Sequence, residues 1–529
     1  MAVTEHDVVV IGAGHNGLVA AGYLARAGLD VIVVEAAPFI GGMTRSARLP
    51  GAPDHVISPC AVEFFFLHQT TVVSDLGLEA AGFRTIEADP PYVHLDPDGP
   101  SIAFFRDPRR TADDIARLSR ADAAAYLQLA ETLVPIADLA LPFLMANPTR
   151  PPRRALSAAM GAVARHPMTP LRAAGLFRRS PAETLTERFE HPVVRNALAM
   201  LLAAAGPITE RATAGGFLFV GFIHRFGLRR PVGGMGTLPE ALTTRLAAWG
   251  GSVRTSAPAA EILLSGGRAN GVRLDSGETI IARRAVVSTV DPQRLVADLL
   301  PAGALPRRIT RRVTGIPANG AGLGTLKVDL ALSRQVRPTR HGQWRTDRLD
   351  LRHPTTVLGS LDSLIRAERL APSGRWDPDL PLWALPVSGL DPTIAPAGQD
   401  VVYLWSGWAP LRPSEGEADF AAKGADALLA RAATVYDGFA GAELARKVAT
   451  SAEYEREYRV TNGCIVHIDL VPSRSGPLRP ARGLGGYRTP VAGLYLSGAG
   501  THPGGGVSGL PGKLAAERVL HSNRDRLDP

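Results

Sequence analysis

The start of this chain constrains its fold more than any other stretch. Residues 8–11, VVVI, predict a strand that is buried on both faces. Gly12, Gly14 and Gly17 follow in the spacing G-x-G-x-x-G, and a helix is expected over about residues 15–27. Such glycines permit a tight turn, a close approach of backbone to a pyrophosphate, and close packing of the helix on the strand.

A second strand and an acidic residue define the ligand class. The apolar run Val31–Val34 ends in Glu35. A carboxylate at this position accepts hydrogen bonds from an adenosine ribose and repels a 2′-phosphate. Strand, glycines, helix, strand and acid therefore predict a dinucleotide site in a Rossmann-type unit.

Two further glycine clusters decide which dinucleotide is bound. Gly41 and Gly42 lie in EAAPFIGGMTRS, and residues 493–509 read GLYLSGAGTHPGGGVSG. Together with VIGAGHNGLVAA, these segments resemble the FAD-binding motifs of the amine oxidase superfamily. The residues of these three motifs are most similar to those of its phytoene and carotenoid desaturase-related branch. This branch includes the pyridine nucleotide-disulfide oxidoreductase domain proteins. The resemblance covers about residues 1–70, 228–295 and 455–521.

The resemblance implies an α/β fold in which a Rossmann-type FAD-binding domain, like that of glutathione reductase, is interleaved with an α+β substrate domain. A length of 529 residues suits two domains. Residues 1–70, 228–300 and 480–529 are expected to form the FAD-binding domain. Residues 71–227, mostly helical, and residues 301–479 are expected to form the substrate domain.

The resemblance also implies which residues contact FAD. The first two motifs are expected at the phosphates and ribityl chain, and residues 258–262 at the adenine. Gly504 to Gly506 are expected beside the isoalloxazine ring, where a final helix over about residues 509–521 presents its positive dipole end. The expected contacts are Gly12, Gly14, His15, Asn16, Gly17, Glu35, Ala36, Gly41, Gly42, Met43, Thr44, Arg45, Ala259, Ala260, Ser288, Gly498, Ala499, Gly505, Gly506, Val507 and Ser508.

The activity implied by the resemblance is dehydrogenation of an apolar, polyene or lipid-like substrate. Hydride passes to flavin N5, a proton departs, a C=C or C=N bond forms, and oxygen or a quinone reoxidises the flavin. The flavin itself is expected to carry the catalysis. The side chains considered for proton handling are Glu63, His467, Asp469 and His502, and each also suits a structural role.

Three alternatives stay open at this point. Oxidation of an amine or amide C–N bond needs an aromatic cage, for which Trp405, Trp408 and Tyr487 are candidates. A redox-neutral isomerase of polyenes is a second possibility. A flavin-binding scaffold that acts through a protein partner, without turnover, is a third.

The cysteines exclude two classes of protein. Cys60 and Cys464 are the only ones, and no C-x-x-C or C-x4-C pair occurs. A flavin disulfide reductase needs such a pair, and a structural zinc site needs more ligands. We expect no metal and two buried thiols. Residues 320–324 lack the spacing of a second dinucleotide loop, so tightly bound NAD(P)H is not expected.

The charge pattern marks one segment. The net charge is +8, and only four of the 58 basic residues are lysines, which is typical of a genome with biased base composition. Residues 139–182, called the basic lid below, contain no acidic residue. Their arginines are interleaved with apolar side chains and are Arg150, Arg153, Arg154, Arg165, Arg172, Arg178 and Arg179. This pattern is typical of a helical lid and of a helix on an anionic membrane surface.

Other partners and the location follow as expectations. No nucleic-acid module accompanies the arginines. No run of eighteen uninterrupted apolar residues predicts a membrane-spanning helix, and no signal peptide precedes the first strand. We expect a cytoplasmic protein with peripheral membrane contact through the basic lid, and the oligomeric state stays open.

Local patterns predict the remaining elements. Residues 49–59 are interpreted as a turn-rich link. The predicted helices are 111–118, capped by Thr111 to Asp114, then 122–139, 186–205 and 419–439, and one that begins with a capping box of Thr237 and Glu240. The predicted strands are 252–255, 261–265, 271–274, 279–290, 324–332, 401–405 and 494–497.

Overall fold

The structure is a computed structural model that describes residues 3–176 and 178–524. Phe177 of the basic lid, and residues 1–2 and 525–529 of the expected FAD-binding segments, lie outside the described residues. The strands are β1 (Val3–Ile11), β2 (Val31–Val34), β3 (Ala47–Leu49), β4 (Ala52–Ile57), β5 (Thr85–Ala88), β6 (Tyr92–Leu95), β7 (Ser101–Phe104), β8 (Leu228–Pro231), β9 (Ser252–Arg254), β10 (Ala259–Ser265), β11 (Arg268–Leu274), β12 (Thr279–Ser288), β13 (Leu323–Leu332), β14 (Thr355–Leu358), β15 (Leu382–Pro386), β16 (Asp400–Pro410), β17 (Glu443–Thr450) and β18 (Leu494–Leu496).

Helices connect and cover these strands. They are α1 (His15–Arg26), α2 (Val72–Asp75), α3 (Pro108–Ala116), α4 (Arg120–Leu144), α5 (Arg153–Arg165), α6 (Thr169–Leu176), α7 (Pro181–Arg188), α8 (Pro192–Leu202), α9 (Phe217–Phe226), α10 (Thr237–Ala248), α11 (Pro292–Arg294), α12 (Arg307–Thr314), α13 (Thr339–Gln343), α14 (Leu361–Leu370), α15 (Glu417–Ala432), α16 (Ser451–Tyr458) and α17 (Leu510–Arg524).

The first seven-stranded sheet has the order β10-β11-β12-β1-β2-β9, and β18 pairs with β12. β1 runs parallel to β2 and β12, and β18 runs parallel to β12. Val8 and Val10 lie in one hydrophobic core with α1, α10 and α17, whereas Val9 and Ile11 lie in another on the opposite face. The predicted burial of this strand on both faces, and the expected α/β fold, are confirmed.

The second seven-stranded sheet has the order β17-β13-β16-β15-β14-β6-β7. Helix α15 packs on one face through Phe420 and Leu428. Helices α4, α8 and α9 share a core with Trp383 and Tyr403 on the other face. Residues 71–227, expected to be mostly helical, thus also supply β6 and β7 to this sheet. The seven strands provide the floor on which a substrate-binding surface can be built.

Two predicted helix boundaries were wrong. Asp107, rather than Thr111 to Asp114, caps α3, since its carboxylate accepts a hydrogen bond from Arg109 N. Thr111 and Asp114 lie inside the helix and accept bonds from the backbone of Phe105 and Ala103. The predicted helix 186–205 is interrupted between α7 and α8, because a residue that precedes proline avoids the helical conformation.

Two other local predictions were also wrong. Residues 49–59 are not a link but contain a turn of the β3-β4 hairpin, in which Ala47 pairs with Ile57. No capping box opens α10, because Gly236 precedes the helix and the Thr237 hydroxyl donates to Gly234 O. The alternation of apolar and polar residues in the two strands of the hairpin is too short and too irregular to predict them from the sequence.

Within the described part of the chain, α4 alone is long and apolar enough to cross a membrane by length and composition. The sequence expectation differed because charged residues interrupt its apolar run. Tyr126, Leu129 and Leu133 of α4 are buried in the core that includes α9. A Cβ atom on Gly221 of α9 would lie 2.7 Å from Leu133 O, so the two helices approach closely. The buried side chains of α4 lie between Asp122 and Ala137, and this part of the helix packs in the core with α9.

Candidate functional site

The first two glycine motifs meet in space. Gly41 N donates a hydrogen bond of 2.8 Å to Ala13 O, and Gly14 and Gly41 pair as an isolated parallel bridge. Gly41 has a φ of +94°, which a residue with a side chain rarely adopts. A Cβ atom on Gly42 would lie 3.5 Å from the Gly14 Cα atom. Bare backbone thus lines this side of the site.

The three glycines of the first motif have different reasons to lack a side chain. A Cβ atom on Gly12 would lie 2.3 Å from Thr289 Oγ1, and one on Gly17 would lie 2.0 Å from Gly12 O. A Cβ atom on Gly14 would meet no described atom within 4 Å. Gly12 and Gly17 are therefore required by packing, whereas Gly14 leaves open space of the kind that a pyrophosphate fills.

Glu35 is held by the backbone around this space. Its Oε2 atom accepts a hydrogen bond of 2.7 Å from Ala13 N, and its Oε1 atom accepts one of 2.8 Å from Ala37 N. Each oxygen has a further lone pair for a ribose hydroxyl. Ala257 N donates a hydrogen bond to the backbone carbonyl oxygen of Glu35, and β10 begins two residues later with Ala259 and Ala260.

The rest of the second motif forms the loop after β2. The Thr44 hydroxyl donates 2.8 Å to Gly41 O and closes a turn, and Met43 O accepts from Ala61 N. Arg45 forms an ion pair with Glu457 and lies over the Phe39 ring, 4.1 Å from its centroid. The predicted contact Arg45 is thus also bound to a segment that was expected to belong to the substrate domain.

The third motif joins the same end of the first sheet. Ser497 N donates 2.7 Å to Ser288 O, and a Cβ atom on Gly498 would lie 2.7 Å from Thr289 O. Further along, Gly506 has a φ of +105° and faces the Phe66 ring. A Cβ atom on Gly512 of α17 would lie 2.2 Å from Asn16 O, so α17 packs tightly on α1.

The remaining predicted contacts lie close to these. Ala36 follows Glu35, Ala499 follows Gly498, and Gly505, Val507 and Ser508 flank Gly506 in the loop before α17. Val507 shares a buried core with α1. The structure therefore brings the three glycine motifs together at one edge of the first sheet.

Buried polar atoms at this edge test whether FAD fits. Asn16 Oδ1, Arg45 Nε and Ser497 Oγ are buried and have no hydrogen-bond partner among the described residues. Buried polar groups are nearly always hydrogen-bonded in folded proteins, so these atoms fit a polar ligand. Together with the open space at Gly14 and the Glu35 carboxylate, they fit FAD.

Two half-buried histidines accompany the cradle. Burial, with a smaller contribution from His467, lowers the pKa of His15 to about 4. Burial likewise lowers the pKa of His467, which has a φ of +62°. Both imidazoles are therefore neutral at pH 7, and His467 Nδ1 has no partner among the described residues.

Both carboxylates considered for proton handling are engaged in the fold. The Glu63 oxygens accept hydrogen bonds from Tyr92 OH and Thr355 Oγ1, each at 2.9 Å, and from the Arg230 guanidinium at 3.3 Å. Asp469 accepts bonds of 2.8 and 2.9 Å from the backbone N–H groups of Asn319 and Gly320. These contacts give Glu63 and Asp469 structural tasks.

His502 makes a contact that its sequence position does not indicate. Its Nε2–H donates a hydrogen bond of 3.0 Å to Phe143 O, at the end of α4. Its backbone carbonyl accepts 2.8 Å from Tyr487 OH. His502 therefore ties the third motif to the basic lid.

The candidate aromatic cage is only partly assembled. The ring centroids of Trp405 and Trp408 lie 5.7 Å apart, and Trp383 lies 5.6 Å from Trp405. Tyr487 instead lies in a separate buried cluster with Leu510 of α17. The structure brings the two tryptophans together but not Tyr487.

A buried ion pair beside these rings was missed in the sequence. Lys327 Nζ donates 2.8 Å to Asp329 Oδ1 and also donates to Ser58 O. Lys327 is directly opposite Trp405 on the neighbouring strand. Two opposite charges spaced by two residues in an apolar strand face the same side, and this was the signal available. Arg479, which is also buried, was missed as well.

Neither cysteine has a reactive thiolate, and Cys60 is half-buried whereas Cys464 is buried. Burial raises the pKa of the Cys60 and Cys464 thiols to about 12, so both are protonated. Among the described residues, no group of three or more His, Cys, Asp or Glu side chains could hold a metal ion.

Comparisons with known proteins agree with this site. The family described as "Flavin containing amine oxidoreductase" matches residues 17–375. Pyridine nucleotide-disulfide oxidoreductase domain-containing protein 2 of Mus musculus is 30% identical, over 98% of this chain and 93% of the relative. Hydroxyneurosporene desaturase of Rubrivivax gelatinosus is 27% identical, over 97% of this chain and 93% of the relative.

Solved structures share the fold. A putrescine oxidase variant superposes with a TM-score of 0.61 at 20% identity, covering 99% of this chain and 100% of its own. An oxidoreductase from Methanosarcina mazei does so with a TM-score of 0.59 at 17% identity, over 98% and 100% of the two chains. The predicted resemblance and the predicted cofactor are confirmed. The chain belongs to the flavin containing amine oxidoreductase family, resembles its desaturase-related members, and is an FAD-dependent oxidoreductase.

Proposed function

We propose that the protein dehydrogenates an apolar, polyene or lipid-like substrate. FAD supplies the acceptor that takes hydride at N5 as a double bond forms in the substrate. The observation that carries the proposal is a continuous belt of aromatic side chains that begins at the third glycine motif. The aromatic belt consists of Phe65, Phe66, Tyr92, Phe219, Phe222, Phe226, Trp383, Trp405 and Trp408.

The belt starts where the flavin ring is expected. A Cβ atom on Gly506 would lie 3.7 Å from the Phe66 ring. The Phe65 centroid lies 6.5 Å from that of Phe66 and 5.1 Å from that of Phe219. Through Tyr92, which lies 5.2 Å from Trp383, the rings continue to the tryptophans on the second sheet. An elongated apolar molecule in contact with these rings would reach the expected position of the flavin ring.

The charged groups beside the belt are paired with one another. Glu63 is engaged by Arg230, Tyr92 and Thr355, and Lys327 by Asp329. The belt therefore presents rings without a free carboxylate to balance a cationic substrate. Aromatic rings bind extended apolar molecules through large contact areas.

The names of relatives support the same substrate class. A limonene dehydrogenase chain of Castellaniella defragrans is 24% identical over 98% of this chain and 95% of the relative. Limonene and phytoene, which other relatives are named for, are hydrocarbons. Putrescine oxidase of Kocuria rosea is 42% identical, but over only 18% of this chain. Amine oxidation is therefore the second candidate, because aromatic rings also bind cations.

A panel of substrates tests the proposal. The FAD-loaded protein is mixed without oxygen with a terpene, a polyene, a fatty acyl ester and putrescine, and the visible flavin absorbance is followed. We expect bleaching by the terpene, the polyene or the fatty acyl ester. Phe219→Ser should raise the concentration of that apolar substrate needed for half-maximal bleaching, whereas Trp344→Ser, which alters an exposed ring outside the belt, should not. Bleaching by putrescine alone would replace the proposal with C–N oxidation.

The proposal includes the acceptor. Oxygen or a quinone is proposed to reoxidise the flavin, since neither a cysteine pair nor a second dinucleotide loop occurs in the sequence. Mixing the reduced protein separately with oxygen and with a short-chain quinone, and comparing the two rates of reoxidation, distinguishes these acceptors. Rapid reduction of the flavin by NADPH would contradict this part of the proposal.

We further propose that the basic lid contacts an anionic membrane surface from the cytoplasmic side. Leu156, Met160 and Val163 of α5 are spaced i, i+4 and i+7, and all three are exposed, Met160 by 72%. Ala155 and Ala159, on the other face, are buried. The lid also exposes Phe143, Met168 and Leu171. An exposed apolar stripe of this kind fits a lipid surface.

The charge of the lid fits the same partner. Arg153, Arg154, Arg165 and Arg172 are exposed beside the apolar stripe. Each arginine near an anionic bilayer contributes to binding, and added salt weakens that contribution. Phe143, whose carbonyl oxygen accepts a hydrogen bond from His502, connects this surface to the third glycine motif. A substrate dissolved in the bilayer would thus meet the protein on the flavin side.

A further inference from the structure

Arg479 is a buried cation whose contacts are unusual. Its side chain is 1% exposed. Its Nη2 atom donates to Ala499 O, Val466 O and Ile468 O at 2.8, 2.9 and 3.1 Å, and its Nη1 atom donates to Asp469 O at 3.4 Å. All four acceptors are backbone carbonyl oxygens.

The charge of Arg479 is only partly compensated by the described protein, because the Asp469 carboxylate raises its pKa electrostatically but forms no ion pair with it. Among residues 3–176 and 178–524, no carboxylate forms an ion pair with its guanidinium, and its buried Nε atom has no partner. The carboxylate of Asp469 instead binds the backbone of Asn319 and Gly320. A buried charge without a partner is strongly unfavourable unless an ion of opposite sign is held nearby.

Arg479 is charged at pH 7, whereas three titratable groups near it are neutral. Burial lowers the pKa of Arg479 to about 10, so it remains a cation at pH 7. Burial, with a contribution from Arg479, also lowers the pKa of His467 and of His502. Both histidines are therefore neutral, and the Cys464 thiol is protonated.

The guanidinium lies directly behind the third glycine motif. A Cβ atom on Gly504 would lie 3.5 Å from both the Nε and Cζ atoms of Arg479. Ala499, an expected FAD contact, provides one of its acceptors. Only a glycine backbone thus separates the charge from the side of the loop where the flavin ring is expected. The N-terminal end of α17 adds a partial positive charge to the same corner.

We infer that Arg479 is a positioning residue for FAD. Its guanidinium holds the Ala499 and Gly504 segments and stabilises the negative charge that the flavin gains on reduction. The inference requires FAD binding but does not depend on which substrate is oxidised. A charge that acts on the reduced flavin stabilises it more than the oxidised flavin, and therefore raises the midpoint potential. A purely structural role would weaken the binding of both forms alike.

The test compares three variants of the FAD-loaded protein. Arg479→Met removes the charge, Arg479→Lys keeps it, and Arg474→Met removes a surface arginine of the same loop that also donates to carbonyl oxygens. The midpoint potential is measured by dye-coupled titration, and the Kd for oxidised FAD is measured separately. We expect Arg479→Met to lose about tenfold of the preference for reduced over oxidised flavin, which is about 30 mV for a two-electron couple. Arg474→Met should leave the potential unchanged.

Arg479→Lys keeps the inference falsifiable even where the methionine variant does not fold. A buried lysine has a lowered pKa, so it loses its charge at a pH where arginine does not. The potential of Arg479→Lys should match the unmodified protein at pH 6 and fall below it at pH 9. The inference is overturned if Arg479→Met, with full FAD occupancy, keeps its potential, or if Arg479→Lys follows the unmodified protein at both pH values.

Discussion

The imidazole of His502 is bonded to the carbonyl oxygen of Phe143, with 3.0 Å between Nε2 and O. The contact joins the third glycine motif to the end of α4, 359 residues earlier in the chain. Met145, two residues after Phe143, packs against the buried cluster that contains Tyr487 and Leu510. The basic lid and the flavin-binding loop therefore share one fixed corner.

Replacing His502 should loosen that corner. His502→Leu leaves the Phe143 carbonyl without its donor, and we expect a loss of about 1–2 kcal/mol in the free energy of unfolding. His502→Gln retains an N–H donor and should lose less. Hydrogen exchange of residues 143–149 is the measurement, with faster exchange expected in the leucine variant. Equal exchange in all three proteins would show that the bond does not hold the lid.

The first motif offers a matched pair of glycine substitutions. Gly14→Ala should fold normally, because its Cβ atom meets no described atom within 4 Å, but it should bind FAD weakly by filling the pyrophosphate space. Gly17→Ala should instead destabilise the protein without FAD, because its Cβ atom would lie 2.0 Å from Gly12 O. Thermal unfolding of the FAD-free proteins and FAD titration check both. A stable Gly17→Ala protein would contradict the packing argument.

Much of the FAD cradle could be predicted from the sequence, because its chemistry depends on local backbone. Gly14 and Gly17 act within one strand-turn-helix unit, and Glu35 follows the next strand, although Gly12 also packs on the distant Thr289. The same local reading was wrong at Thr111, where a buried contact with the Phe105 backbone prevailed over capping. Asp107, four residues earlier, was an equally good cap by sequence alone.

The aromatic belt and Arg479 could not be predicted in this way. Phe66 lies in the loop after β4, Trp405 lies on β16, and no spacing in the sequence relates the two. Arg479 is one of many arginines, and only the tertiary structure distinguishes it as buried behind Gly504. The hydrogen-bond partners of Glu63 and Asp469 are distant in sequence. The sequence therefore left proton handling and a structural role both open for these two residues.

Acid should destabilise the FAD-free protein through His15. Its pKa is near 6.5 in the unfolded chain and about 4 in the folded one, so the unfolded state binds a proton first as the pH falls. Its contribution is therefore fully present above pH 6.5 and is lost as the pH falls towards 4. The shift corresponds to about 3 kcal/mol.

Urea unfolding at pH 7 and pH 4.5 checks this prediction. His15→Asn carries no titrating group and should lose less stability over the same interval than the unmodified protein. The FAD-free proteins are compared, since the phosphates of FAD would favour a protonated histidine. An identical loss of stability in both proteins would show that His15 does not contribute to the destabilisation by acid.

The proposed membrane surface can be tested with a control of equal exposure. Leu156→Glu on α5 should reduce binding to vesicles rich in phosphatidylglycerol, whereas Leu444→Glu on β17 should not, although the two leucines are 46% and 47% exposed. Co-sedimentation measures the effect. Replacing Arg153, Arg154 and Arg172 by Gln should weaken binding by about fivefold per arginine, or about a hundredfold together.

Salt and oligomeric state complete that test. Binding should weaken as salt is added, and it should be absent with neutral phosphatidylcholine vesicles. If Leu156→Glu instead changed the molecular mass of the protein in solution, the stripe would be a contact between copies of the chain. Unchanged vesicle binding in Leu156→Glu would leave the lid as a cover for the substrate domain alone.

This flavoprotein is proposed to oxidise an apolar substrate by removing two hydrogens. The direct measurement is a single turnover without oxygen, in which flavin absorbance and the mass of the substrate are followed together. We expect one flavin bleached per substrate molecule converted, and a product lighter by two hydrogens. A product of unchanged mass with the flavin cycling back, an aldehyde and ammonia from an amine, or no conversion of any apolar substrate would contradict the proposal.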